Sequence, residues 1–284
     1  GPDCLPPHPT NGYRSDRPVQ GFTHTHVSGT GGEGRFGNLR VVPYLGAPDD
    51  IPEGFERSEE VAAVGFYGVC LSPGNIRVEL TSTPRCGICR FYFPEGSEAN
   101  ILIDAGAVHQ FHPQRTAICT NAEICWANDT QFEGHGTFRG GWGHNHPYKI
   151  FFSGSFNTTP DRILVGDADA LLEHDHAVGE KAMTVAHFRR SQSVEVRIGV
   201  SFVSIPKARD NHDKECQPFS FEELTDRHRA DWQSWFDRIQ VEGGTEEQRR
   251  IFQTFFYRLL CMPTDLGIAC LLYTSPSPRD EQSS

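Results

Sequence analysis

Lysine is scarce in this chain. Lys149, Lys181, Lys207 and Lys214 are the only four, and arginine supplies the rest of the positive charge. The formal net charge is −11 over 284 residues. Such an acidic surface offers no electrostatic footprint for nucleic acid or an anionic membrane, so neither is expected as a partner. Long apolar runs are missing as well, and none approaches the roughly 18 residues of a membrane-spanning helix. The first residue is Gly rather than Met, and no signal-peptide pattern follows it. A second Cys-x-x-Cys is also absent, which leaves Cys86-Gly-Ile-Cys89 without the other half of a zinc site. Nine cysteines are an odd number. Buried or surface thiols near a strand are the simpler reading of that pair.

Histidine, by contrast, is plentiful at 13 residues. The most informative stretch is Gly21-Phe-Thr-His-Thr-His-Val-Ser-Gly-Thr-Gly-Gly-Glu-Gly34. His24 and His26 are two apart, so in an extended segment both imidazoles leave the same face. Ser28, Gly29, Thr30, Gly31 and Gly32 follow as a hydroxyl and glycine loop that lets a ligand approach the backbone closely. That combination suits a polyhydroxylated ligand or a metal. Gly29-x-Gly31-x-x-Gly34 matches the dinucleotide fingerprint by letter only. A polar His-Thr-His precedes it, and Leu39-Arg-Val-Val-Pro43 follows, where the fingerprint needs an apolar strand and then a helix.

Residues 39 to about 205 carry strand signals. Ile76-Arg-Val-Glu-Leu80 and Val194 to Phe202 alternate apolar and polar residues, as half-buried antiparallel strands do. Cys89–Phe93, Asn100–Ile103 and Tyr148–Phe152 read as further strands, with Ser72-Pro-Gly74 and Pro94-Glu-Gly96 as turns. Many short strands with such punctuation predict an antiparallel β-sandwich of roughly 200 residues. The period then changes. Ser220 with Glu223 forms a capping box, and Phe219 with Leu224 a hydrophobic staple. Leu224, His228, Trp232, Trp235, Phe236 and Ile239 recur at helical spacing, which predicts core packing for both tryptophans. After Gly243-Gly244, Thr245 and Gln248 open a second helix. Its broad stripe of Ile251, Phe252, Phe255, Phe256, Leu259 and Leu260 demands more cover than one helix gives. Glu223 and Asp226 read as a solvated face rather than a catalytic pair.

Four segments together resemble glycoside hydrolase family 92, the exo-acting α-mannosidases. Gly21 to Gly31 resembles the family's GF(S/T)HTH-x-SGTG block. Val78-Glu-Leu-Thr81 with Arg90-Phe-Tyr-Phe-Pro94 is similar to its ELTAT…HRYTFP strand pair. Val241-Glu-Gly-Gly-Thr245 is similar to its VEGGT junction, and Met262-Pro-Thr-Asp-Leu-Gly-Ile268 to the opening of its helical domain. Gly1-Pro-Asp3 resembles the end of its LSPD motif, which implies that residues precede it. Pro84-Arg-Cys86 and Cys89 stand where the family carries charged or small residues and a His. Glu33-Gly-Arg35 replaces an acidic residue after SGTG.

The resemblance implies a mainly β chain: an antiparallel β-sandwich, then a linker helix, then the first helix of a truncated (α/α)6 toroid. Residues 1–218 would form the sandwich, 219–242 the linker, 243–268 the start of the toroid, and 269–284 a non-native tail. It implies a calcium-dependent, inverting hydrolase in which one carboxylic acid protonates the leaving oxygen and a distant carboxylate activates water. The substrates would be mannose-containing glycans, with α-1,2 the expected linkage, N-glycan breakdown the setting, and a bacterial periplasm or exterior the location. Catalytic acids and calcium ligands would lie in the toroid, and none is transferred to a residue here. The oligomeric state is left open.

The candidate substrate-binding residues are His24, His26, Ser28, Trp142 and Asp3. The histidines fit a sugar-binding rim, a structural role on loop backbone, or metal ligation, and His144-Asn-His146 and His174-Asp-His176 repeat their spacing. Trp142 within Gly140-Gly-Trp-Gly143 resembles the family's GWA segment and would either face a sugar ring or plug one end of the sandwich. Asp3 would bind sugar hydroxyls or hold a turn. A stand-alone carbohydrate-binding sandwich and a cupin-like metalloenzyme are the alternative functions.

Overall fold

The computed structural model describes residues 1–5, 12–25, 36–108, 117–140, 146–167, 169–190 and 192–260. In chain order the first strands are β1 (Pro2–Cys4), β2 (Val19–His24), β3 (Asn38–Leu45), β4 (Glu56–Ala63) and β5 (Phe66–Ser72). Next come β6 (Ile76–Ser82), β7 (Cys86–Tyr92), β8 (Ala99–Asp104), β9 (Ile118–Trp126) and β10 (Gln131–Arg139). β11 (Tyr148–Phe156), β12 (Arg162–Gly166), β13 (Leu171–Leu172), β14 (His176–Gly179), β15 (Met183–Phe188) and β16 (Ser193–Ser201) complete the set. Three helices follow: α1 (Ile205–Glu215), α2 (Phe221–Phe236) and α3 (Glu246–Leu260).

The strands form two sheets, ordered β1-β2-β3-β8-β15-β12-β13 and β14-β9-β10-β11-β16-β7-β6-β5-β4. The paired strands run antiparallel. The apolar positions read from alternation in β6 and β16 face the space between the sheets: Val78, Val194, Val196 and Ile198 are all buried there. Large aromatics fill the rest. Phe22, Phe91, Phe132, Phe138, Phe152, Phe188 and Tyr44 are fully buried, and Trp126 stacks on Phe156 at 5.7 Å. The indole N–H of Trp126 donates across the core to Thr184 Oγ1 at 2.9 Å, so the buried polar atom is paired. β4 closes one edge of the larger sheet. Its Glu56, Arg57, Glu59 and Glu60 make it a charged edge that discourages pairing with another chain.

The two capping boxes exist as drawn from the sequence. Ser220 and Glu223 bond each other's backbone at the start of α2, as Thr245 and Gln248 do before α3. α1 is not signalled by any apolar stripe, because its inward positions are largely polar. Asn211 Nδ2 donates to the Val200 carbonyl at 2.9 Å, and His212 Nε2 pairs with Ser155 Oγ at 2.9 Å. Gly199 makes the docking possible: a Cβ there would lie 2.5 Å from the Ala208 carbonyl oxygen.

α2 is buried only in its first turns, at Phe221, Leu224 and Thr225. Two arginines of the larger sheet hold it. Arg90 donates to Glu195 at 3.0 Å and to Glu222 at 2.6 Å, and lies 4.2 Å over the Phe221 ring. Arg197 donates to the carbonyls of Cys216 and Phe219 in the turn between α1 and α2. Beyond that point α2 leaves the sheet. Trp232 packs on Tyr257 at 4.7 Å and on Phe236 at 5.9 Å, whereas Trp235 is 44% exposed. Core packing of Trp235, expected from its helical spacing, is therefore not what this chain shows; the helix face that carries it projects past the strands. α3 has no fully buried residue: Phe252, Phe256 and Leu260 are half-buried, while Ile251, Phe255 and Leu259 are 49%, 64% and 68% exposed.

Candidate functional site

β2 carries Phe22, Thr23 and His24 to one end of the sandwich, where they meet β7 of the opposite sheet. A cavity of ≈ 400 Å³ opens there, lined by His24, Thr25, Phe36, Arg85, Gly87 and Phe202 among others. Thr25 and the residues from Phe36 to Asn38 are tied together and to β11 beside the cavity. The Gly37 N–H donates to the Thr25 carbonyl at 3.3 Å. The Phe36 N–H donates to Tyr148 Oη at 3.0 Å, and that hydroxyl donates to Asn38 Oδ1 at 3.0 Å. Thr25 and Phe36 both adopt left-handed backbone, with φ of 59° and 73°. For a β-branched residue such as Thr25 that conformation is costly, and it sits beside the cavity.

His24 is anchored by one nitrogen and spare at the other. Nδ1 lies 3.1 Å from the Leu39 carbonyl. A carbonyl only accepts, so Nδ1 carries the proton and Nε2 is left with a lone pair. Burial lowers the His24 pKa to about 4, so the ring is neutral at pH 7. Nε2 is buried and has no hydrogen-bond partner among the described residues; the same is true of Thr25 Oγ1 and Arg85 Nε. All three residues line the cavity. A buried polar atom without a partner costs about 1–3 kcal/mol, so this wall is energetically incomplete as it stands.

Gly87 shapes the floor. A Cβ at that position would come within 2.3 Å of His24 Nε2, so the imidazole lies directly over a strand residue with no side chain. Arg85 is positioned from the helical side, because Glu215 accepts from its backbone N–H at 3.0 Å and from Nη1 at 2.9 Å. Nothing in the residue pattern pointed to Thr25, Arg85 or Gly87; the position of Arg85 within a departure from the family's strand pair was the only available signal.

The other candidates scatter. Asp3 is buried on β1 opposite Gly21 and does not line the cavity. His26, Ser28 and Trp142 lie outside the described residues, as does His144. His146 is exposed. His174 meets Asp175 at 3.0 Å and His176 meets Glu123 at 3.0 Å, both near solvent. Cys86 and Cys89 are three apart on β7 and therefore face opposite sides of the sheet: Cys89 enters the sandwich core and Cys86 the layer beneath the helices. They do not form half of a metal site. Among the described residues no group of three or more His, Cys, Asp or Glu is arranged to hold a metal ion. Calcium takes six to eight oxygen ligands, so the described residues do not fit that ion.

A second cleft, of ≈ 820 Å³, lies between the β6–β7 turn and α2. His228 is fixed there. The Trp232 indole N–H donates to its Nε2 at 3.0 Å, which leaves Nδ1 facing Ser82 Oγ at 3.4 Å, and burial lowers its pKa. No helix among the described residues is long and apolar enough to cross a membrane.

Residues 1–201 match the glycosyl hydrolase family 92 N-terminal domain, and residues 207–268 match the family 92 catalytic domain. An uncharacterized secreted glycosidase of Arthroderma benhamiae is 28% identical over 302 residues, covering 92% of this chain and 37% of its own length. The family 92 α-mannosidase BT3965 of Bacteroides thetaiotaomicron superposes with a TM-score of 0.78 at 23% identity, over 90% of this chain and 36% of its own. The family 92 glycosyl hydrolase ccman5 superposes at 0.79 and 24% identity, over 94% and 37%. This chain thus spans little more than a third of the length of the relatives it matches.

Proposed function

The chain belongs to glycosyl hydrolase family 92, and from that premise we propose that it is the amino-terminal part of a secreted α-mannosidase that removes terminal α-linked mannose from glycans. Two observations of the relatives support the substrate class: the solved neighbours BT3965 and BT2199 are mannosidases, and BT3965 is described in complex with mannoimidazole. The Arthroderma relative, described as a secreted glycosidase, supports secretion. In this reading the sandwich binds and the helical domain, of which α2 and α3 are the beginning, carries the chemistry. The acid, the base and the calcium ligands lie in that domain, beyond the described residues. The reaction is inverting, with two carboxylates on opposite sides of the sugar, and the linkage cleaved is α-1,2.

The observation that carries the proposal is the incomplete wall at His24. A neutral imidazole with a buried, unpaired Nε2 accepts a hydrogen bond from a hydroxyl. Thr25 Oγ1 both donates and accepts, and Arg85 Nε donates. A polyol carries hydroxyls that both donate and accept, which matches this set of groups, and the Phe36 and Phe202 side chains that line the same cavity suit the apolar face of a sugar. A structural role for His24 has its own support in the Nδ1 bond to Leu39. The two roles use different nitrogens and do not compete.

The division of labour is tested by assaying this chain and the restored full-length protein on an aryl α-mannoside, with and without calcium. The full-length protein is expected to turn over and the chain to stay at background. Reproducible calcium-dependent turnover by the chain would place the catalytic carboxylates within it and refute the assignment.

A further inference from the structure

β7 and the end of α1 bring two cysteines together. Cys86 is the first residue of β7, and Cys216 is the C-cap of α1. Both are buried in one small apolar cluster with Ile88, Phe221 and Leu224. Their thiols donate to neighbouring carbonyls of the same helix turn: Cys86 Sγ to Asn211 at 3.3 Å and Cys216 Sγ to His212 at 3.3 Å. The residues immediately before them are locked to each other. Glu215 accepts from the Arg85 N–H and guanidinium, and from the Thr83 hydroxyl at 2.7 Å. Thr83 Oγ1 accepts in turn from the Cys86 N–H at 3.0 Å. The two backbones are therefore held in register one residue away from each sulfur.

We infer that Cys86 and Cys216 are a disulfide pair, which staples the α1–α2 turn to the β-sandwich when the chain folds in an oxidising compartment. Both cysteines are free thiols in the structure, and the Cys86 thiol is pushed far up by its hydrogen bond with the Cys216 thiol and by burial. Such buried thiols react slowly once the cluster has closed, so the bond forms before α1 is fully docked. One thiolate attacks an external disulfide, such as oxidised glutathione, and releases a thiol. The second thiolate then attacks the mixed disulfide, forms the Cys86–Cys216 bond and releases the other thiol. The protein loses two protons and two electrons, and the external disulfide takes them. The bond closes a loop of 130 residues between the two positions, a length at which a cross-link restricts the unfolded chain strongly. It fixes the turn from which α2 and α3 project. The inference is independent of the sugar specificity proposed above.

The test is a peptide map. The 284-residue chain is refolded in a glutathione redox buffer, its remaining thiols are alkylated in denaturant, and it is digested with trypsin. The expected product joins residues 86–90 to residues 215–227 and is lighter by two hydrogens than the separate peptides. Tandem fragmentation must assign the bond to Cys86 rather than Cys89, which shares its peptide. The melting temperature should fall by several degrees when the oxidised protein is fully reduced, and this dependence should vanish in a Cys86→Ala/Cys216→Ala variant. Recovery of both cysteines alkylated, or bonded to other partners, overturns the inference whether or not the variant folds.

Discussion

Gly87→Ala probes the floor of the cavity with a single methyl group. The new Cβ would sit 2.3 Å from His24 Nε2 and 2.6 Å from Cδ2, well inside van der Waals contact. Gly87 lies in the interior of β7, and its backbone is not in the left-handed range. Alanine therefore meets no backbone penalty, and the reduced freedom of the unfolded chain favours it by about 0.4–1 kcal/mol. The clash must be relieved by moving the imidazole. That strains packing by about 1–3 kcal/mol and breaks the Nδ1 bond to Leu39, worth about 1 kcal/mol. The net loss is about 2 kcal/mol, or roughly 4–8 °C in melting temperature for a domain of this size. A double-mutant cycle with His24→Ala isolates the cause. With the imidazole gone the added methyl has room, so Gly87→Ala should cost little or nothing in that background. Equal costs in both backgrounds, measured by thermal or denaturant unfolding, would refute the claim that the ring lies over Gly87.

The remaining predictions concern the frame around the cavity. Arg90→Met should destabilise by about 2–3 kcal/mol in urea unfolding. The buried Glu195 loses a charge-assisted bond and Phe221 its cation contact, while the exposed Glu222 pair adds little. Burial depresses the His24 pKa to about 4, so the unfolded state binds this proton first. Stability from this group is complete above about pH 6.5 and is lost as the pH falls toward 4, and the fall in melting temperature over that window should shrink in His24→Asn. Truncation before Glu246 removes the exposed Ile251, Phe255 and Leu259 and should reduce self-association in sedimentation velocity; an unchanged profile would mean that α3 is not the sticky face.

The helical boundaries and half-buried strands were legible because each rests on local chemistry. Ser220 with Glu223 caps a helix wherever it occurs, and the alternation in Val194 to Val200 has one face to bury. α1 was not legible. It docks through Asn211 and His212 against a glycine gap at Gly199, and only the packed sheet reveals that these polar residues point inward. Trp235 was misjudged for a related reason. Helical spacing identifies an apolar stripe, but it does not say whether the strands extend far enough to cover it. At the candidate site, the His-x-His spacing drew attention to the segment that carries His24. It did not show that His24 is tethered to Leu39, or that Arg85 and Gly87 arrive at the site from the opposite sheet about 60 residues later, because the packing of one sheet on another leaves no local trace.

The central claim, that the His24 wall contacts the sugar, is tested most directly by His24→Asn in the restored full-length enzyme. Asparagine keeps a donor for the Leu39 carbonyl and deletes Nε2. Loss of one hydrogen bond to substrate in a closed site costs about 1–3 kcal/mol, roughly 5- to 150-fold in kcat/KM on an α-mannoside. The account predicts a fall of that size per folded molecule, with the melting temperature held within a few degrees. Unchanged kcat/KM alongside an unchanged or lowered melting temperature would contradict it and leave His24 as a structural residue alone.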